Sequence, residues 1–243
     1  MSDISTRPYL SLAVLAYNER ETVARTARLC SDVLRGCGRT YELVLVDDGS
    51  TDGTRELVQE LASQLPHCRA ILHPRNLGIG EGIRTCFFET TGEWATWFPA
   101  DLQADPRELP RLLDLLPGCD VLVTYREARQ RQETWRRKLI SWVDRALVRL
   151  LFGVRLNDLH WVRFFRRSVL EQLQPNSRSP FVDTEMVVGA RQLGARVRQT
   201  PFPDQPRRFG TAKGASLKNL VSAVADLFAL YRRGVRLVQG GRS

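Results

Sequence analysis

Apolar positions in the first half of this chain fall in short unbroken runs rather than in alternation. The runs are residues 9–16 (YLSLAVLA), 43–46 (LVLV), 94–98 (WATWF) and 120–124 (DVLVT). A continuous run of this length fits a strand covered on both faces, because alternation is expected only where one face meets water. Residues 69–73 add a short further strand. Between the runs, helical spacing over about 22–35, 54–65, 77–90 and 106–116 supplies crossovers. Strands alternating with helices of this length predict parallel βαβ units with right-handed connections. The expected class is α/β, a doubly wound, mostly parallel sheet with helices on both faces.

From residue 133 the pattern changes. Trp135, Leu139, Trp142, Val143, Ala146, Leu147, Leu150 and Leu151 recur at helical spacing, with Arg136, Arg137, Lys138, Arg145 and Arg149 between them. A second such stretch spans about 217–233, where Leu220, Val221, Val224, Leu227, Phe228 and Tyr231 form the apolar side and Arg232, Arg233 and Arg236 the end. Both read as basic amphipathic helices. Neither reaches the roughly 18 uncharged apolar residues of a membrane span, but each suits packing on a core or lying on a bilayer surface.

Charge sharpens this division. Residues 1–125 hold 12 basic and 18 acidic side chains (net −6), residues 126–167 hold 12 and 4 (net +8), and residues 207–243 hold 8 and 1 (net +7). An acidic first half and a basic second half point to a polyanionic partner: a phosphate-bearing ligand or an anionic membrane surface. Nucleic acid is not expected, since no zinc finger, aromatic RNA-recognition motif or basic region with heptads occurs. The 243 residues contain no linker, repeat or low-complexity tract, so one large domain over residues 1–243 is expected. Residues 1–8 lack the features of a signal peptide, and the five cysteines form no CxxC pair. Reduced thiols and a cytoplasmic location are expected.

The candidate chemistry sits where the runs end. Residues 43–46 lead straight into Asp47, Asp48, Gly49, Ser50, Thr51 and Asp52. In an open α/β sheet the carboxyl ends of the strands carry the ligand site, whereas the plain alternative is an acidic turn with a helix cap. Tyr17-Asn18-Glu19 follows the first run and Ala100-Asp101-Leu102-Gln103 follows the run at 94–98. The glycines of Gly78-Ile79-Gly80-Glu81-Gly82 do not make GxGxxG and follow the wrong strand, which disfavours a dinucleotide oxidoreductase.

These three patterns, with Asn76-Leu77-Gly78 among them, resemble the nucleotide-sugar half of a family-2 inverting glycosyltransferase of GT-A fold. Asp183-Thr184-Glu185, Gly194, Pro201, Arg207, Gly210 and Lys213 extend the likeness to the acceptor half of the polyprenyl-phosphate sugar transferases, the group of dolichyl-phosphate mannose synthase. The resemblance implies a nucleotide-sugar half over about 9–125 and an acceptor half over about 126–233. It implies that Tyr17, Glu19 and Asp48 hold base and ribose, and that Ala100 approaches the nucleotide through its backbone. Asp101, supported by Gln103, is the implied ligand of Mg²⁺ or Mn²⁺. Arg126, Arg207 and Lys213 are implied to face phosphate, and Asp183 and Glu185 to lie near the acceptor. A leaving diphosphate gathers negative charge, so cations and a hard metal are what the chemistry asks for.

The chain departs from the family pattern in three places. Pro99 replaces the first aspartate of Asp-x-Asp and offers no side-chain ligand, leaving one carboxylate for metal. Leu159, His160 and Trp161 are bulky where relatives have a glycine-containing turn, and Ala212 stands where a serine is usual. The expected activity is transfer of a hexose from a GDP- or UDP-sugar to a polyprenyl phosphate, by an enzyme peripheral to the inner face of the membrane. An anionic lipid phosphate attacks without a base. Transfer to a hydroxyl of a saccharide or secondary metabolite is the alternative, and would need Asp183 or Glu185 to take a proton. Those two carboxylates read equally well as the cap and first turn of a helix over 185–194. Loss of Asp-x-Asp also fits a non-catalytic nucleotide-sugar or membrane-binding protein.

Overall fold

The computed structural model describes residues 7–126, 145–159, 161–177, 179–203, 229–232 and 236–237. In chain order the elements are β1 (Leu10–Ala16), α1 (Val23–Gly36), β2 (Tyr41–Asp47), α2 (Thr54–Gln64), β3 (Cys68–Leu72), α3 (Ile79–Phe88) and β4 (Trp94–Pro99). A 3₁₀ turn (Pro106–Glu108) then leads into α4 (Leu109–Leu113) and β5 (Val121–Tyr125). After a helical stretch over 145–152 come β6 (Arg163–Arg166), α5 (Arg167–Leu170), β7 (Leu173–Gln174), α6 (Val182–Gln192), β8 (Val197–Pro201) and β9 (Arg236–Leu237).

Seven strands form one sheet in the order β3-β2-β1-β4-β6-β5-β8, and β7 pairs with β9 apart from it. All pairings in the large sheet are parallel except those of β6, which runs antiparallel to both β4 and β5. The sequence pattern announces parallel units alone. It misses β6 because Arg163 interrupts the apolar run of a strand only four residues long. Two helices are also shorter than expected: α3 covers Ile79–Phe88, and the helix over 106–116 resolves into the 3₁₀ turn and the five residues of α4. Conversely α6 starts at Val182, three residues earlier than expected, so Asp183 lies with Glu185 inside its first turn instead of ahead of the helix.

Both faces of the sheet are covered, which is why the strands read as unbroken apolar runs. Leu10, Leu12 and Val14 of β1, with Leu43 and Leu45 of β2, meet Val23, Ala27, Cys30 and Leu34 of α1 and Val58 and Leu61 of α2. On the opposite face Ala95, Val121, Val123 and Phe165 pack against Ile83 and Phe87 of α3 and Met186 and Val187 of α6. Each fully buried Leu or Phe contributes about 2 kcal/mol, so the two layers fix strand register and with it the position of every loop at the carboxyl edge. All five cysteines are free thiols, and burial pushes Cys30 and Cys86 well above the ordinary thiol range. Among the described residues no helix is long and apolar enough to cross a membrane.

Candidate active site

The chain order reverses between β1 and β4. From β1 it steps outward through β2 to β3, then returns to β4 on the other side of β1. At such a point the loops leave in opposite directions and open a crevice at the strand ends. Register places the two flanking loops level with each other, since Ala16 pairs with Asp47 and Leu15 with Pro99. The Asp48 amide donates to Ala16 O (2.9 Å) and the Ala100 amide to Leu15 O (3.0 Å). Tyr17, Asp48 and Asp101 therefore leave the same edge of three adjacent strands.

The loops after β1 and β2 are stitched together. Asn18 N donates to Ser50 Oγ and Thr51 N donates back to Asn18 Oδ1, both at 2.9 Å. Glu19 N donates to Thr54 Oγ1 (2.9 Å), and Thr54 is itself held by Asp52. Asn18 sits at φ 53, a left-handed conformation that asparagine tolerates better than most residues. Tyr17 is left 36% exposed at the rim.

Asp48 is buried and acts as a clasp. It accepts hydrogen bonds from Leu77 N (2.9 Å), Gly78 N (3.1 Å), Asn76 Nδ2 (3.1 Å) and His73 Nδ1 (2.7 Å). Thr85 Oγ1 lies 2.9 Å from the other ring nitrogen of His73. Gly49 makes the approach possible: it adopts φ 72, and a Cβ there would lie 2.1 Å from the backbone of Arg75. Neighbouring Asp47 is fully buried, accepts from Ser50 N and pairs with Arg55 at 3.6 Å. The clasp explains why Asn76-Leu77-Gly78 and Asp47-Asp48-Gly49-Ser50 occur together.

At the end of β4, Ala100 uses both backbone polar groups inside the fold: its amide bonds to Leu15 and its carbonyl accepts from Thr26 Oγ1 at 2.7 Å. Asp101 is 6% exposed and accepts from Gln103 N (3.0 Å), and Leu102 between them is held at φ 62. A leucine at positive φ is strained, and strain of this kind collects at functional loops. Among the described residues no group of three or more His, Cys, Asp or Glu side chains gathers as a metal cage. Asp101 thus offers a hard cation one carboxylate, which matches Mg²⁺-type sites only when phosphate and water complete the shell.

On the far side of β4, the guanidinium of Arg126 bonds Asp158 side-on, Nε to Oδ2 at 2.9 Å and Nη2 to Oδ1 at 3.4 Å. Asp183 lies in the first turn of α6, where burial pushes its carboxyl up to about 6, against the opposing pull of Arg163 and of the Trp97 indole. Its Oδ1 has no protein hydrogen-bond partner, nor has Trp97 Nε1; the indole pulls on the carboxyl without closing a well-formed hydrogen bond to it. Arg163, fully buried in β6, donates through Nη2 to Leu159 O, and its burial lowers its own pKa. Glu185 does something different, since its two oxygens accept from Asn176 N (3.1 Å) and Ser177 N (2.8 Å) and so fasten the loop before α6.

The sequence pattern did not single out His73, Trp97 or Arg163. A charged residue inside the run WVRFF was the available signal for the last. Arg207, Lys213, Gly210, Ala212 and His160, with most of both amphipathic stretches, lie outside the described residues.

The profile of glycosyl transferase family 2 matches residues 11–174, from β1 through β7. The chain belongs to that family. It is similar to the undecaprenyl-phosphate 4-deoxy-4-formamido-L-arabinose transferase of Edwardsiella ictaluri: the two are 32% identical over 232 residues, covering 93% of this chain and 69% of that one. In three dimensions this family-2 glycosyltransferase is similar to glucosyl-3-phosphoglycerate synthase of Mycobacterium tuberculosis. A complex of that enzyme with Mn²⁺, UDP and phosphoglyceric acid gives a TM-score of 0.70 at 20% identity, covering 93% of this chain and 79% of that one. A second, with phosphoglyceric acid, gives 0.69 at 18% identity, covering 93% and 80%. The shared architecture is the GT-A fold, as the resemblance implies.

Proposed function

We propose that this glycosyltransferase moves a hexose, with inversion, from a UDP- or GDP-sugar to a polyprenyl phosphate. The observation that carries the reading is the 32% identity, over 93% of this chain, to a transferase whose name gives undecaprenyl phosphate. Tyr17, Glu19 and Asp48 hold the nucleoside in the crevice between β1 and β4. Asp48 does so largely by fixing the 73–78 loop, because its oxygens already take four donors. Ala100, Asp101 and Gln103 surround the diphosphate and sugar, with Arg207 and Lys213 closing over them, and Arg126 faces the phosphate of the acceptor. A Mg²⁺ or Mn²⁺ ion, held by Asp101 with Gln103 and the donor's own phosphates, would supply charge to the leaving diphosphate. The acceptor phosphate is already anionic, so positioning suffices for its attack.

Peripheral membrane contact belongs to the same reading. Leu150 (80%) and Tyr231 (56%) are exposed beside Arg149 and Arg232, and Tyr231 meets Phe152 edge-on, which joins the two segments. Such a basic and apolar surface fits an anionic bilayer. A second reading, transfer to a hydroxyl, is favoured by Asp183: a buried carboxyl raised to about 6 is suited to accept a proton near neutral pH. Glu185 is not, since both its oxygens are committed.

Titration calorimetry with UDP and GDP, with and without Mn²⁺, tests the donor side. UDP comes first, being the nucleotide bound to the structural neighbours. One nucleotide should bind, and Asp101→Ala should weaken it about tenfold or more in Mn²⁺; equal affinity in the variant refutes the site. Labelled sugar should then pass from the matching donor into undecaprenyl phosphate. Turnover on saccharides instead would establish the second reading, and no transfer at all would leave a binding protein.

A further inference from the structure

Among the contacts of Arg126 with the described residues, two unlike ones hold its guanidinium. Its Nε and Nη2 face Asp158 in a side-on fork at 2.9 and 3.4 Å, and its Cζ lies 4.8 Å from the centroid of the Trp161 ring. The fork alone leaves the guanidinium plane free to rock about the line joining it to the carboxylate. The ring beneath removes that freedom, since a planar cation keeps the attraction of an aromatic face only while it stays over it. Trp161 is itself pinned. It is 7% exposed and meets Phe202 edge-on (5.9 Å, 77°), and Phe202 meets Phe98 in the same manner (6.0 Å, 85°). Phe98 lies in β4, three residues before Asp101, so the platform under Arg126 is continuous with the strand that carries the metal candidate.

Orientation matters here more than charge. Asp158 neutralises Arg126, so a bound phosphate gains little from the summed charge of the pair and much from well-aimed N–H groups. An aromatic face holds a cation without cancelling it. We propose that Trp161 is a positioning residue that fixes the Arg126 guanidinium, together with Asp158, as a rigid donor for the phosphate of the acceptor. This rests on the reading of Arg126 as a phosphate ligand, and extends it to a residue that touches no substrate.

The experiment compares Trp161→Ala, Trp161→Leu and Trp161→Phe with the unaltered chain. Farnesyl phosphate probes the acceptor side and UDP with Mn²⁺ the donor side, both by calorimetry. The Nε–H resonance of Arg126, read by ¹⁵N NMR, reports the guanidinium directly. Trp161→Ala should weaken farnesyl phosphate about fivefold, leave UDP within about twofold, and speed solvent exchange at the Arg126 Nε–H. Trp161→Leu should do the same while filling the core, so that a fault in folding of the alanine variant does not decide the matter. Trp161→Phe, which keeps a π face and lacks the indole N–H, should restore most of the affinity. Unchanged exchange at Arg126 in the leucine variant overturns the positioning role, as does equal loss of both ligands. Failure of the unaltered chain to bind farnesyl phosphate, with UDP still bound, overturns the acceptor reading and the proposal with it.

Discussion

Replacing Asp183 by Asn should make the protein more stable at neutral pH. The carboxyl is fully buried, and burial raises its pKa from 3.8 to about 6 even though the Arg163 charge opposes the shift. At ~1.4 kcal/mol per pH unit, that gap means the ionised side chain costs the native state ~3 kcal/mol relative to the protonated one. The folded protein binds this proton more tightly than the unfolded chain does. The side chain's favourable contribution is thus complete below pH ~4 and is lost as pH rises to ~6. Asparagine mimics the protonated form, so the variant should match the parent near pH 4 and exceed it by up to ~3 kcal/mol at pH 7 and above. Loss of the partner of Arg163 is already contained in the figure, because the value of about 6 includes that attraction. Urea unfolding at pH intervals between 4 and 8, on both proteins, measures the divergence. A variant less stable than the parent at pH 7 would refute the reasoning, by showing that the charge of Arg163 outweighs the burial of its neighbour. The same variant separates the two acceptor classes: transfer to a lipid phosphate should survive it, and transfer to a hydroxyl should be abolished.

Arg163→Met removes the main charge that steadies Asp183, so the carboxyl should titrate above 6; the indole N–H of Trp97 reads this by NMR, and an unmoved midpoint would dissociate the two residues. Asp48→Ala deprives His73, Asn76, Leu77 and Gly78 of their common acceptor. It should lower stability by ~3 kcal/mol and hasten amide exchange at 77 and 78, with unchanged exchange contradicting the clasp. Gly49→Ala combines φ 72 with a Cβ only 2.1 Å from Arg75. A loss of ~2 kcal/mol or more is expected in thermal melts, and a neutral effect would mean that the 73–78 loop is not held against residue 49.

Strands β1, β2 and β4 could be read from the chain because a strand buried on both faces must be apolar throughout, whichever partner covers it. Their boundaries in the structure lie within two residues of the runs. The carboxylates that end them were readable for the same reason: a polar cluster directly after a buried strand has only the sheet edge to occupy. Strand β6 was not readable. Four residues with a central arginine have no periodic signature, and Arg163 is tolerable inside the sheet only because Asp158 and Asp183 face it from other segments. The carboxylates of α6 gave no hint of their separate fates either. Asp183 and Glu185 are two residues apart in one helical turn, yet one is bonded to the amides at 176 and 177 and the other faces a buried arginine.

Local sequence thus determined the strands buried on both faces in the first half of the chain and the helices between them, and that acidic groups gather at one edge, since burial and backbone propensity act on neighbours along the chain. Tertiary structure alone decided what each charged group does there. Asp48 became a loop clasp, Arg126 a stacked and forked cation and Asp183 a raised carboxyl through partners 25 to 35 positions away or from other elements. The electrostatic state of a buried group is set by distance and desolvation in space, and neither is written in its own neighbourhood of the sequence.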